Sequence, residues 1–352
     1  MGTERCILRG GAALVLLFAC SGCVTIKERW LFLDPIIAPE DEVTDARGEA
    51  PIPTTVRALA EETGGDTGVL WGAALEFAMG FHLERTEDQS ILRQFEVREG
   101  TLYYDTRRDT FEAAGGDISA LVIDKLWAGP RAPLVVYCGG TANTFETTAM
   151  MSAIKVLPFS GEVLFFDYPG YGRSPGARSV AGVEHAVATV APIAAEAARP
   201  ADRPLILWGY SLGGFACAEM ARLVPADALI LDSPVRNARA GTGFFLPRWL
   251  QPVVSPFVRF EAPLERFDIV TSLEGTGVPI LVIGAEKDGV LPERGARDLY
   301  ADLAAAGHEV AYVQAVGEGH FGARRGDEVF EAVARITGAR RNAAFPLPTE
   351  EN

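Results

Sequence analysis

The chain has 352 residues, of which 48% are hydrophobic, and its 32 basic and 47 acidic side chains leave a net charge of −15. Such a length and apolar content suit one large folded domain and argue against disorder over most of the chain. So acidic a balance argues against nucleic acid as a partner and against a polybasic contact with anionic lipid, since both need a basic face.

The first 23 residues read as an export signal. Arg5 and Arg9 make the start positive, and Gly10 to Ala19 is an uncharged run too short to span a bilayer. The run ends in Leu17-Phe18-Ala19-Cys20-Ser21-Gly22-Cys23, which resembles the lipobox of bacterial lipoproteins. There a small residue precedes the cysteine that is acylated and becomes residue one. Cys20, with Leu at −3 and Ala at −1, is the expected lipidation site, and Cys23 is the alternative. The resemblance implies an exported, membrane-anchored protein facing the periplasm or the cell exterior. Cys138 and Cys217 fall in a predicted strand and a predicted helix, and are expected to be buried free thiols.

Residues 24–90 read as a tether and N-terminal extension. Pro35, Pro39, Pro51 and Pro53 interrupt it, and Glu40 to Glu49 is acidic and poor in large apolar residues. Within it, Val69 to Phe81 is apolar on nearly every side, which predicts a buried helix packed on the main domain.

Residues 91–345 alternate strand and helix signals. Ile118 to Leu126, Leu134 to Cys138, Val163 to Phe166, Leu205 to Trp208, Ala228 to Leu231, Ile280 to Ile283 and Val310 to Val313 are short apolar runs. Several lack polar alternation, as expected of strands covered on both faces. Val180 to Ala198, Gly213 to Leu223 and Arg294 to Ala306 read as helices. The alternation predicts an α/β fold with a mainly parallel central sheet flanked by helices, and an active site where strand C-termini meet the loops. Residues 237–275 break the rhythm with Phe244, Phe245, Leu246, Trp249, Leu250, Phe257, Val258 and Phe260 among several prolines. We read a cap insertion whose apolar content favours an acyl chain over a peptide amine.

Gly209-Tyr210-Ser211-Leu212-Gly213-Gly214 follows one predicted strand and opens a predicted helix. This is the context of a nucleophile elbow, in which a strained turn presents the serine above the sheet. Gly209 and Gly213 leave room where a side chain would clash. The serine needs a base, and of the four histidines only His320, in Gly319-His320-Phe321, follows the last strand. Asp288, after the strand ending at Ile283, is the expected partner of His320, with Asp232 and Glu286 as rivals. Two backbone N–H groups should hold the oxyanion. Leu212 is one, and Thr141 in the glycine loop after Cys138 is the other, with Gly140 as its alternative.

Gly209 to Gly214, Asp288 and His320 resemble the α/β-hydrolase superfamily. Asp167-Tyr168-Pro169-Gly170-Tyr171-Gly172-Arg173-Ser174 is similar to a loop of its serine aminopeptidase-like and depalmitoylase-like members. The likeness covers roughly residues 95–340. At the oxyanion turn many such proteins carry histidine–glycine–asparagine, where this chain has Gly139-Gly140-Thr141. The resemblance implies hydrolysis of an ester, thioester or amide through an acyl-enzyme, with no cofactor. No metal-binding H-E-x-x-H or paired C-x-x-C signature accompanies it.

Overall fold

The structure is a computed structural model that describes residues 24–28, 31–32, 81–82, 93–97, 100–125, 128–141, 143–145, 156–243, 258–320 and 327–338. The stretch read as an export signal, most of the apolar segment from Val69 to Phe81, and the aromatics between Phe244 and Phe257 lie outside the described residues.

Twelve strands are described. They are β1 Val24–Ile26, β2 Phe81–His82, β3 Arg93–Val97, β4 Gly100–Phe111, β5 Ile118–Lys125, β6 Leu134–Cys138, β7 Glu162–Phe166, β8 Leu205–Tyr210, β9 Ala228–Asp232, β10 Val258–Phe260, β11 Ile280–Ala285 and β12 Val310–Ala315. The helices are α1 Val180–Ala198, α2 Gly213–Leu223, α3 Ala238–Gly243, α4 Ala262–Glu265, α5 Ile269–Ser272, α6 Arg294–Ala305 and α7 Asp327–Ile336. Ten strands form one sheet in the order β12-β11-β9-β8-β6-β7-β5-β4-β3-β2. The first six of these run parallel, and β5 to β2 continue the sheet antiparallel.

Every residue of β6, β8, β9 and β11 is buried. Alternate side chains feed two cores, because successive residues of a strand point to opposite faces. Val136, Leu207, Leu229 and Val282 face the layer that contains α1, α2 and α6. Val135, Ile206, Trp208, Ile230 and Leu281 face the layer that contains α7. Helix α1 starts where Ser179 caps it, accepting the Gly182 N–H at 3.0 Å. This two-sided covering is what brings the C-terminal ends of β6, β8, β9, β11 and β12 to one edge.

Three findings depart from the expectations above. First, the expected tether begins as packed structure. β1 pairs in parallel with β10, and Phe32, only 3% exposed, lies in the core. The prolines and acids that mark a tether start further along, at Pro35. Second, Cys138 and Cys217 are joined in a disulfide, with Cα atoms 6.1 Å apart, within the span such a bond allows. The free-thiol reading is corrected here. The two cysteines are 79 residues apart in sequence, and only the packing of α2 over the end of β6 makes them neighbours. Third, the described end of the insertion is not suspended above the sheet edge. Leu264 and Ile269 are buried in the same core as α1, α2 and α6, and Phe267 packs on Phe215 with ring centroids 4.5 Å apart.

Candidate active site

Ser211 stands between β8 and α2 with φ at +54°, a left-handed conformation rare for residues with a side chain. The turn is this sharp because the backbone is packed without clearance. A Cβ on Gly209 would collide with Gly213 and Gly214, and one on Gly213 with the Cys138 carbonyl. The Ser211 N–H donates to the Asp232 carbonyl at 2.9 Å, which pins the elbow to β9. Leu212 follows as the N-cap of α2, so its N–H belongs to the first turn, where helix donors lack intrahelical acceptors.

His320 and Asp288 are brought together from the ends of β12 and β11. The His320 Nδ1 donates to Asp288 Oδ2 at 2.6 Å, with both residues nearly excluded from water. A carboxylate can only accept, so Nδ1 carries the proton, and in the neutral ring Nε2 is then the nitrogen with the free lone pair. The other oxygen, Oδ1, accepts the Val290 and Leu291 N–H groups at 2.8 and 2.7 Å, which fixes the carboxylate. The His320 ring lies 5.1 Å from that of Tyr210, the residue preceding Ser211.

Both rivals of Asp288 have other tasks. Asp232 accepts the Trp208 Nε1–H at 3.3 Å, inside the core. Glu286 accepts the Gly317 N–H at 2.7 Å. Together with the Lys287 N–H donating to the Glu318 carbonyl at 2.8 Å, that contact ties the Asp288 turn to the His320 loop.

The glycine loop after β6 is braced from several sides. Gly140 donates its N–H to Asn143 Oδ1 at 3.1 Å, which engages the alternative oxyanion donor. Tyr168 donates its hydroxyl to the Gly139 carbonyl at 3.0 Å, and Asp167 Oδ1 accepts the Phe145 N–H at 2.8 Å. Burial holds the Tyr168 phenol well above its ordinary pKa, so it stays a donor. Thr141, the next residue of the turn, places its Oγ1 3.5 Å from the Tyr171 hydroxyl and donates from it to the Leu31 carbonyl at 2.8 Å. Asp167, Tyr168 and Tyr171 thus show what the Asp-Tyr-Pro-Gly-Tyr-Gly loop does, since it props the loop beside the elbow. Reading the sequence missed these roles. The one available signal was the position of that loop directly after β7, the strand next to β6.

Three comparisons bear on this site. Residues 133–266 match the family model described as serine aminopeptidase, S33. The lysophosphatidylserine lipase ABHD12 of Rattus norvegicus is 29% identical over 202 residues, covering 50% of this chain and 48% of that protein. An uncharacterized protein of Mycobacterium tuberculosis, MT2364, is 29% identical over 194 residues, covering 55% of this chain and 64% of that protein. The chain therefore spans about half the length of the lipase relatives it matches. Among solved structures, an α/β hydrolase from Vibrio vulnificus aligns with a TM-score of 0.52 at 20% identity, over 66% of this chain and 80% of that one. A thermostable esterase from Pseudomonas putida aligns with a TM-score of 0.50 at 20% identity, over 81% and 95%. At such identities the structural likeness speaks for the fold.

Proposed function

We propose that this chain, which has the α/β-hydrolase fold, hydrolyses a carboxylic ester or thioester through an acyl-enzyme. Ser211 attacks the carbonyl, His320 takes its proton and returns it to the leaving group, and Asp288 orients His320 and stabilises the imidazolium. The Leu212 and Thr141 N–H groups receive the oxyanion. One observation carries this reading: a serine held at φ +54° on a strand–helix turn, where the ring of the preceding Tyr210 lies 5.1 Å from that of a histidine whose Nδ1 is held by a fixed carboxylate. The name of the lipase relatives supports an ester as the scissile group.

The description of the matching family model favours a second reading, cleavage of an amino-terminal peptide bond. That reaction needs an acid to hold the substrate ammonium. Glu261 and Glu265 are the only acids between Pro234 and Arg266. The Glu261 carboxylate accepts the Glu28 N–H at 2.8 Å, so it is engaged elsewhere. An ester is the better fit.

Ser211→Ala should lower turnover of an activated ester by several orders of magnitude, and a fluorophosphonate should label the wild-type serine. Wild-type activity in Ser211→Ala would overturn the mechanism. Failure of the wild type to label would favour a non-catalytic binding module on the same scaffold. We further propose that the mature chain begins at an acylated Cys20 and is anchored in a membrane on the oxidising side. The Cys138–Cys217 disulfide supports that compartment. Mass spectrometry of the mature N-terminus tests it, and an unmodified terminus beyond residue 23 would refute it.

A further inference from the structure

Residues 24–28 and 31–32 take no part in acyl transfer, yet both stretches are held in place. At one end β1 lies on the cap insertion, in the register Val24 to Val258, Thr25 to Arg259 and Ile26 to Phe260. The Glu261 N–H donates to the Ile26 carbonyl at 3.0 Å, and Glu261 in turn accepts the Glu28 N–H at 2.8 Å. Leu31 and Phe32 then close a turn onto the Glu28 carbonyl, at 2.8 and 3.1 Å. Phe32 enters the core, and the Leu31 carbonyl accepts the Thr141 hydroxyl at 2.8 Å.

The glycine loop is therefore oriented residue by residue from different sources. Tyr168 holds the Gly139 carbonyl and Asn143 holds the Gly140 N–H, both from within the hydrolase domain. Thr141 is also tied to the N-terminal segment, 110 residues upstream. Its side-chain oxygen and its backbone N–H sit on one residue. Rotating the N–H away from the elbow would therefore strain or break the Leu31 contact.

We propose that residues 24–28 and 31–32 act as a strap that positions the oxyanion loop, with the Leu31 carbonyl and the buried Phe32 as positioning groups. Turnover then depends on whether the segment next to the export signal is docked. This rests on the reading of Thr141 as an oxyanion donor.

The test uses the full chain and a soluble short-chain ester. Thr141→Val removes the hydroxyl but keeps the backbone N–H and the branched side chain, whereas Thr141→Ser keeps the donor. Phe32→Ala undocks the strap from its other side, and Phe32→Leu serves as a milder variant should the alanine fail to fold. Thr141→Val and the undocking variant should each lower kcat by about three- to tenfold, the rate equivalent of one ordinary hydrogen bond, with KM changed less than about twofold. Thr141→Ser, which restores the donor, should recover most of the kcat lost in Thr141→Val. Combining Thr141→Val with the undocking variant should cost little more than either alone, because both break one linkage. Unchanged kcat with a lowered Tm, or fully additive effects, would overturn the strap while fluorophosphonate labelling of the wild type still stands. Absence of that labelling would remove the acyl-enzyme reading and the strap's role together.

Discussion

Opening the Cys138–Cys217 disulfide should cost the protein several kcal/mol of stability. Both cysteines are fully buried, and 79 residues separate them. In the chain-entropy model a cross-link closing a loop of that length removes denatured-state entropy worth about 4.5 kcal/mol at 25 °C. That figure is an upper value, because a compact denatured ensemble already restricts the loop. With an m-value of about 3 kcal/mol/M, plausible for a domain of this size, the urea midpoint should fall by roughly 1.5 M under reducing conditions. The assay is equilibrium unfolding of the full chain, with and without reductant. Samples should be reduced in denaturant before refolding, since the buried bond is shielded in the native state. A tryptic digest of alkylated, unreduced protein should contain the Cys138 and Cys217 peptides joined. Coincident unfolding curves with both peptides alkylated would refute the pairing. Coincident curves with the peptides joined would refute the loop-entropy reasoning instead.

Two further substitutions and one substrate series follow from the site. Asp288→Asn should lower kcat by about three to four orders of magnitude, because an amide can hold His320 in the wrong tautomer. Asp232→Asn should act mainly on stability, since that side chain receives the Trp208 indole N–H inside the core. Comparing kcat and Tm for the pair checks the assignment, and equal losses of kcat would refute it. Across p-nitrophenyl esters of two to twelve carbons, kcat/KM should rise about tenfold for each two methylenes that fit the pocket. A sharp maximum at acetyl, or faster cleavage of aminoacyl amides, would refute an apolar acyl preference.

The sheet was legible where its strands are buried on both faces. Leu134 to Cys138 and Ile280 to Ile283 are apolar at every position, and they are strands at or within two residues of those bounds. Strands β3 and β4 were missed for the converse reason. β4 reads Gly-Thr-Leu-Tyr-Tyr-Asp-Thr-Arg-Arg-Asp-Thr-Phe, and such a polar run gains its identity from pairing with β5 rather than from its own pattern. Ser211, Asp288 and His320 could be picked out because each lies just beyond a strand, and parallel topology gathers those ends. Contacts that cross the chain were not legible. The Tyr168–Gly139 bond spans 29 residues and the Thr141–Leu31 bond spans 110. Neither spacing has a period that a local reading can detect.

The turn after β6 departs from the pattern it resembles and is still held in place. A histidine–glycine–asparagine turn can brace itself with its own side chains, whereas Gly139-Gly140-Thr141 begins with two residues that have none. Glycine lets the backbone approach a substrate but leaves its orientation unfixed. The missing constraints arrive from outside the turn. Asn143, three residues beyond Gly140, folds back on the Gly140 N–H, and the Tyr168 hydroxyl takes the Gly139 carbonyl. The disulfide secures Cys138, the residue just before the turn, to α2, which begins two residues after Ser211. Thr141 contributes a hydroxyl that a glycine could not, and that hydroxyl binds the N-terminal segment. Replacing local side chains with distant braces makes the loop's geometry depend on the integrity of the whole domain. Destabilising changes outside the turn itself, at Phe32 or at the disulfide, should therefore act on kcat before they unfold the protein.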